Sequence, residues 1–500
     1  MAAVKSSDVA SLKMIDQRDE HPISPLAAAK ANPVIVAYSL AAGVGSLLWG
    51  FDIGVSTITI ALPSFKMVFG YEYQGQLLIS ATWNAVWTAM TYLGMSGGGI
   101  LSGWLSDRFG RRVAFLIASC ISILGIGLQY AASEPGLLLA GKMVNGIALG
   151  FFLTLTPTYI SEIAPQSLRP TLTATVNLFI SVGQMMAIGI GNTRFSILTP
   201  SSYKVVFAAQ WAFPCFLVIF ALLMPESPMF LLRQKRVDAA EKAFRSLYPG
   251  KEQDVIVARE AIERTIAQED ELQRLQEGTN YKECFQGVDF RRTRIACGMF
   301  FVQQFTGIAF YAQSLYFLGI TGLPIDLTFK LALGGFGAAI FGNIASWFIM
   351  SYVGRRPLLL TGTILNGTLL AIVGIAGCFK SSVALYLVAY LLSFAQIVYA
   401  PTVGATTWVI CTEASSQRLR ARTQGIAMLN NAFISWAMGF MTPYLINTDS
   451  ANLGAKAAFV WLGLSIISLV WVWFEVPEFR NKSTAEIDEL FQRQTPTRRF

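Results

Sequence analysis

The chain has 500 residues and a mass of 54.7 kDa, with 54% apolar and 14% charged residues, where soluble proteins average about 25% charged. That composition excludes a single soluble core. The formal charge of +8 comes from 38 Lys and Arg against 30 Asp and Glu, and in so apolar a chain such an excess sets membrane topology rather than contact with nucleic acid.

Residues 1–33 are polar, contain Pro22 and Pro25 and lack the apolar centre of a cleavable signal, which predicts a disordered tail. Apolar runs long enough to cross about 30 Å of hydrocarbon then predict helices near 34–56, 79–101, 112–132, 136–158, 171–191 and 205–224. Six more are predicted near 294–318, 327–351, 357–379, 383–411, 424–446 and 455–475. Between the two sets, 225–293 is the only long polar stretch, and its VDAAEKAFRSL and DVIVAREAIERTIAQEDELQRL segments have helical periodicity with i,i+4 opposite charges. Residues 476–500 form a second polar tail. With the N-terminus inside, the inner segments carry 31 Lys and Arg and the outer ones 6, so both termini are expected in the cytoplasm.

The chain repeats itself. YISEIAPQSLRP puts Glu162 seven residues before Arg169, and WVICTEASSQRLRA puts Glu413 seven before Arg420, both at an offset of 251. Pro225-Glu226 recurs as Pro477-Glu478, and GRR at 110–112 recurs at 354–356. Two duplicated six-helix bundles are what a rocking carrier needs, because a site between similar halves can face either side in turn.

Chemistry on a catalytic plan finds little support. The only histidine is His21 in the tail, the six cysteines form no CxxC pair, and no GxxxxGK loop occurs. A disulfide framework, a zinc site and ATP-driven cycling are therefore not expected, and no cofactor is expected. Polar groups inside apolar helices carry the information instead. Asp52 lies deep in the first predicted span, where a carboxylate is costly unless paired or functional, and Lys142 is the one base within the first six spans. A hydroxyl-rich neutral cargo would need amides and an aromatic platform, which makes amides within the helices candidates.

GWLSDRFGRR, PTYISEIAPQSLR, PESP, QQFTG, GRRP and PEFRNKSTAEIDELF, in this order at the expected helix ends, resemble the sugar porter family of the major facilitator superfamily from about residue 34 to 491. GKMVNGIALGFFLTLTPTYISE, LTATVNLFISVGQ, SQRLRART and MTPYLIN are most similar to the fungal maltose and α-glucoside permeases. The resemblance implies an all-α membrane protein of twelve transmembrane helices in two bundles, 34–224 and 294–475, joined by cytoplasmic linker helices. It implies that Asp52 and Lys142 couple transport to a proton. It implies a cytoplasmic gate of Asp107, Arg108, Arg111, Arg112, Glu162, Arg169 and Glu226, matched by Arg355, Arg356, Glu413, Arg420 and Glu478, with Asp107 replaced by Ser351 in the second half. It implies sugar contacts at Asn177, Gln184, Gln303, Gln304, Trp408 and Asn431.

Two positions depart from the family pattern. The Asn that ends its seventh-span motif is Ala309 here, and the proline of its tenth-span GPxxW is Ala405, with Pro401 just before. Three readings follow. The first is a proton-coupled importer of an α-glucoside or hexose, acting as a monomer in the plasma membrane. The second is a uniporter or exporter of another small metabolite, which the loss of the Asn favours. The third is a non-transporting nutrient sensor, which the short C-terminal tail argues against.

Overall fold

The computed structural model describes residues 29–500 apart from 166–167, 251, 277–280, 380, 417–418, 481, 483 and 498–500. Most of the expected disordered tail therefore lies outside the described residues. Twelve helical passes follow. Those of the first half are Pro33–Thr59, Ala81–Phe109, Arg111–Ala131, Pro135–Ile163, Arg169–Arg194 and a sixth made of Ser201–Ala209 and Ala212–Leu223. In the second half the seventh is broken into Gly287–Phe305, Ile308–Ala312 and Ser314–Ile320. Ile325–Val353 and Arg355–Ala376 come next, and the tenth joins Ser382–Tyr399 to Ala405–Ala414 through a π-helical turn. Arg420–Ile446 and Ala458–Glu475 close the set.

Among the described residues, nine helices are long and apolar enough to cross a membrane. The second, seventh and eleventh passes complete the twelve. Small and hydroxyl residues dilute the second, the break near Gly307 shortens the seventh, and Asn430 and Asn431 sit in the eleventh. Several helices outrun their apolar windows. The second continues to Phe109 because its stop is Gly110, whose φ of 92° leaves the helical region, not the end of the hydrophobic run.

The duplication is visible in the packing. In the first half the first pass packs on the fifth, the second on the fourth and the third on the sixth; in the second half the seventh packs on the eleventh, the eighth on the tenth and the ninth on the twelfth. Some of these contacts are backbone to backbone. A Cβ on Gly98 of the second pass would stand 2.0 Å from the Ile147 carbonyl oxygen of the fourth, so only glycine lets the two helices approach this closely. The halves meet where the second pass lies on the eleventh and the fifth on the eighth.

The two ends of the bundle differ. One end carries the 225–286 segment and the C-terminal helix, and is called the linker face. The other carries a short hairpin, Tyr71–Tyr73 with Gln76–Leu78, turning through Gln74 and Gly75 at positive φ, and is called the hairpin face. Each half has its own apolar core, while a third cluster joins Phe65, Trp87, Tyr203 and Phe207 of the first half to Leu315, Tyr316 and Phe329 of the second. That third cluster lies at the hairpin face. The linker forms helices Pro228–Arg233, Val237–Leu247 and Glu252–Gln276, and Ala240, Ala243, Phe244 and Leu247 bury one face of the second at the i, i+3, i+4, i+7 spacing of an amphipathic helix. The C-terminal tail folds in part. Thr484–Gln492 is helical, and its Asp488 pairs with Arg292 at 2.5 Å.

Candidate functional site

Asp52 and Lys142 each lie seven residues inside the hairpin-face end of their helices, which is about 10 Å of helix. Because the first and fourth passes are neighbours, the two side chains meet, with Lys142 Nζ 3.6 Å from Asp52 Oδ1. Asp52 is 1% exposed and Lys142 4%. The same oxygen accepts from Asn145 Nδ2 at 2.9 Å and from Gln210 Nε2 at 3.4 Å. Lys142 meanwhile donates to Ser56 Oγ at 2.6 Å and lies 5.9 Å from the Phe207 ring centroid. A buried pair stays charged only when further hydrogen bonds replace lost water, and these amides and the hydroxyl provide them. Asn145, Gln210 and Ser56 escaped the sequence reading. Asn145 lies three residues from Lys142, on the same helical face, so its position was a usable signal.

The second-half candidates for cargo contact gather around the seventh pass. Gln304 Nε2 donates to Ser435 Oγ at 2.8 Å, and Ser435 donates to Asn431 Oδ1 at 3.3 Å, so Gln304 and Asn431 join through a serine. Trp408 sets its ring edge-on to Phe300 with centroids 5.1 Å apart. Tyr399 donates to the Gln303 carbonyl at 3.4 Å, and Asn430 to that of Cys297 at 3.0 Å. The first-half candidates sit on the fifth pass, with Asn177 exposed and Gln184 half-buried. Ser181, between them on the same face, accepts from Asn343 of the eighth pass at 3.1 Å. The family's tenth-span proline is absent, yet Pro401 lies in the first two residues of a π-helical turn over Ala400–Gly404. A proline four residues upstream of the expected site distorts the helix just before Trp408.

At the linker face, Arg111 pairs with Glu162 at 2.7 Å and with Asp107 at 3.5 Å. Arg355 pairs with Glu413 at 2.9 Å. Glu226 accepts the backbone N–H of Arg111 at 2.8 Å and Glu478 that of Arg355 at 3.1 Å, each capping a helix that starts at a glycine with φ of 92°. A carboxylate at a helix N-terminus satisfies otherwise unpaired donors and opposes the helix dipole. Arg112 donates to the Ala221 carbonyl at 2.8 Å and Arg356 to that of Trp473 at 2.8 Å. Arg108 lies over the rings of Trp104 and Phe109. Arg169 begins the fifth pass without a described ion pair, and the side chain of Arg420 lies outside the described residues. The ion pairs described at this face each close within one half.

The hairpin face behaves oppositely, and the sequence reading missed it. Asp449, in the loop after the eleventh pass, accepts from Tyr71 Oη at 2.6 Å and from the Ala81 N–H at 3.2 Å. A carboxylate of the second half thus caps a helix of the first. Asn447 donates to the Ile79 carbonyl at 2.8 Å and accepts from Tyr316 at 2.9 Å. Tyr444 and Thr82 meet at 3.3 Å, and Thr57 donates to the Ala312 carbonyl at 3.3 Å. Burial, then the hydrogen bond to Asp449, pushes the Tyr71 phenol up to about 12, so it remains a donor throughout the physiological range.

A family model described as sugar (and other) transporter matches residues 38–491. The MFS transporter fmqE of Aspergillus fumigatus is 33% identical over 456 residues, covering 90% of this chain and 85% of that one. The general alpha-glucoside permease of Saccharomyces cerevisiae is 30% identical over 475 residues, covering 94% and 77%. Among solved structures, the inward open conformation of the xylose transporter XylE from E. coli superposes with a TM-score of 0.74 at 20% identity, covering 91% of this chain and 99% of that one.

Proposed function

The chain belongs to the sugar (and other) transporter family, and from that premise we propose that it is a proton-coupled secondary carrier importing a sugar, an α-glucoside or a hexose, by alternating access. The linker face is the cytoplasmic one, in keeping with the 31 to 6 division of Lys and Arg. The carrier works as a monomer in the plasma membrane. The conformation is inward-facing, since bonds between the halves gather at the hairpin face while the linker-face pairs close within each half.

The observation that carries the coupling is the buried Asp52–Lys142 pair. Lys142 has a second, nearer partner in Ser56. When Asp52 takes up a proton, Lys142 keeps this hydroxyl and loses its hold on the carboxyl, which frees the first bundle to rearrange around cargo. A membrane potential of about 100 mV acting on one charge supplies about 2.3 kcal/mol, which corresponds to roughly fifty-fold accumulation. Gln303, Gln304, Trp408 and Asn431 on one side and Asn177 and Gln184 on the other hold the cargo, with amides for hydroxyls and the indole as platform. The linker-face clusters act as gates between the two conformations, their charged contacts rearranging as the halves rock.

A second reading, a uniporter or exporter of a different small metabolite, is favoured by Ala309, which removes a hydroxyl partner, and by the name of the fungal relative, which specifies no sugar. Uptake of labelled maltose, glucose and galactose into transporter-deficient cells, with and without a protonophore, separates the two. Protonophore-sensitive accumulation is expected. Asp52→Asn should abolish accumulation while sparing exchange, and full accumulation in that variant would remove the proton role.

A further inference from the structure

A cavity of about 170 Å³ lies in the seam between the halves at the hairpin face. Lys66, Met67 and Phe195 of the first half and Gly319, Thr328 and Phe329 of the second line it. Lys66 is the one charged group in its lining. Its ammonium lies 5.7 Å from the Tyr316 ring centroid, and no carboxylate stands within ion-pair distance among the described residues. Burial pushes this amine below its ordinary value, with no neighbouring charge to offset it. An ammonium with an aromatic face but no counter-ion, set in an otherwise apolar chamber, is an incomplete electrostatic site.

We infer that this chamber is a binding site for a small amphipathic monoanion, a short aliphatic carboxylate whose charge meets Lys66 and whose chain packs against the wall that Phe195 and Phe329 form. Those two rings already touch across the halves, with centroids 5.6 Å apart. Because the walls come from both halves, the site exists only while the hairpin face is closed. A ligand that binds one conformation draws the population toward it by its differential affinity. The bound anion therefore inhibits the carrier by holding it inward-facing, from a position separate from the cargo cleft. Opening of the hairpin face in turn expels the anion.

The test uses the full chain, purified and in liposomes at about pH 7, where a carboxylic acid is ionised. Hexanoate is the probe and hexanamide its uncharged counterpart. Hexanoate should raise the thermal unfolding temperature of the purified protein and slow sugar exchange, measured with all ion gradients collapsed so that acidification by the weak acid has no effect. Lys66→Gln should weaken both responses on the order of tenfold, the value of a hydrogen bond to a charged group. Gly319→Leu fills the chamber at a position where an added Cβ meets nothing within 4 Å, and should abolish both responses with Lys66 intact. Equal effects of hexanamide and hexanoate, or an undiminished hexanoate response in either variant, would overturn the site. The thermal readout stands whether or not a sugar is the cargo, while absent exchange without hexanoate would count against the carrier reading instead.

Discussion

At Asp52, one carboxylate oxygen collects Lys142, Asn145 and Gln210, so the cost of burying it is shared among groups from the fourth and sixth passes. Breaking a buried pair by removing one partner costs about 3–5 kcal/mol, whereas replacing both can be nearly neutral. Lys142→Met is therefore expected to lower the thermal stability of the purified protein sharply. Adding Asp52→Asn should restore most of it without restoring accumulation. A double variant as unstable as Lys142→Met alone would mean that the two side chains do not balance one another. The acid and the base were both legible in the sequence, because a charge in an apolar run stands out. Of their partners only Asn145 left a trace, by its spacing from Lys142; Ser56 and Gln210 left none, since an isolated polar side chain in a helix bonds its own backbone as readily as a distant group.

Among the elements, the third and ninth passes show how a repeated motif becomes a repeated geometry. Gly354 has φ 92° and ψ 166°, a region that side chains essentially exclude, and a Cβ there would stand 2.7 Å from Glu478 Oε2. Gly354→Ala should cost about 1–3 kcal/mol and detach the Glu478 cap. A melting temperature within error of the unsubstituted protein would show that the cap relaxes freely. The tenth pass teaches the complementary point. The family's proline was missing from its usual position, yet Pro401 sits in the π-turn that opens at Ala400, because removing one backbone donor disturbs the ladder wherever it falls. Pro401→Ala should straighten the helix, move Trp408 and weaken cargo binding, read as a raised half-saturation for uptake with the maximal rate less affected. Hydropathy placed the passes but not their ends. Gly110, a backbone stop, sets one end beyond the apolar window.

For the whole molecule, Asp449 and Asn447 join the halves through Tyr71, Ile79, Ala81 and Tyr316. In the proposed cycle, opening of the hairpin face breaks these bonds. Hydrogen bonds to a charged acceptor are worth about 1.5–3 kcal/mol, so Asp449→Ala should move the equilibrium roughly tenfold or more toward an open hairpin face. Thr328, 2% exposed in the closed seam, is a suitable reporter. Its cysteine replacement should react faster with an impermeant maleimide in the Asp449→Ala background, and an unchanged rate would sink the latch. The Tyr71 phenol, raised to about 12, contributes its bond at every pH below its unfolded value near 10. That contribution fades only as the pH rises through about 12, well above the physiological range.

The sequence by itself determined that twelve apolar segments fold as two related halves, because hydropathy, spacing and duplication are local or periodic properties of the chain. It also marked Asp52, Lys142 and the amides, since polarity within an apolar run is visible one residue at a time. Tertiary structure alone decided that Gln304 reaches Asn431 through Ser435, that the linker-face pairs close within halves, and that a loop after the eleventh pass caps the second. Those contacts join residues as many as 368 positions apart. A loop acid such as Asp449 carries no sign of its partner until both bundles have folded and closed against each other.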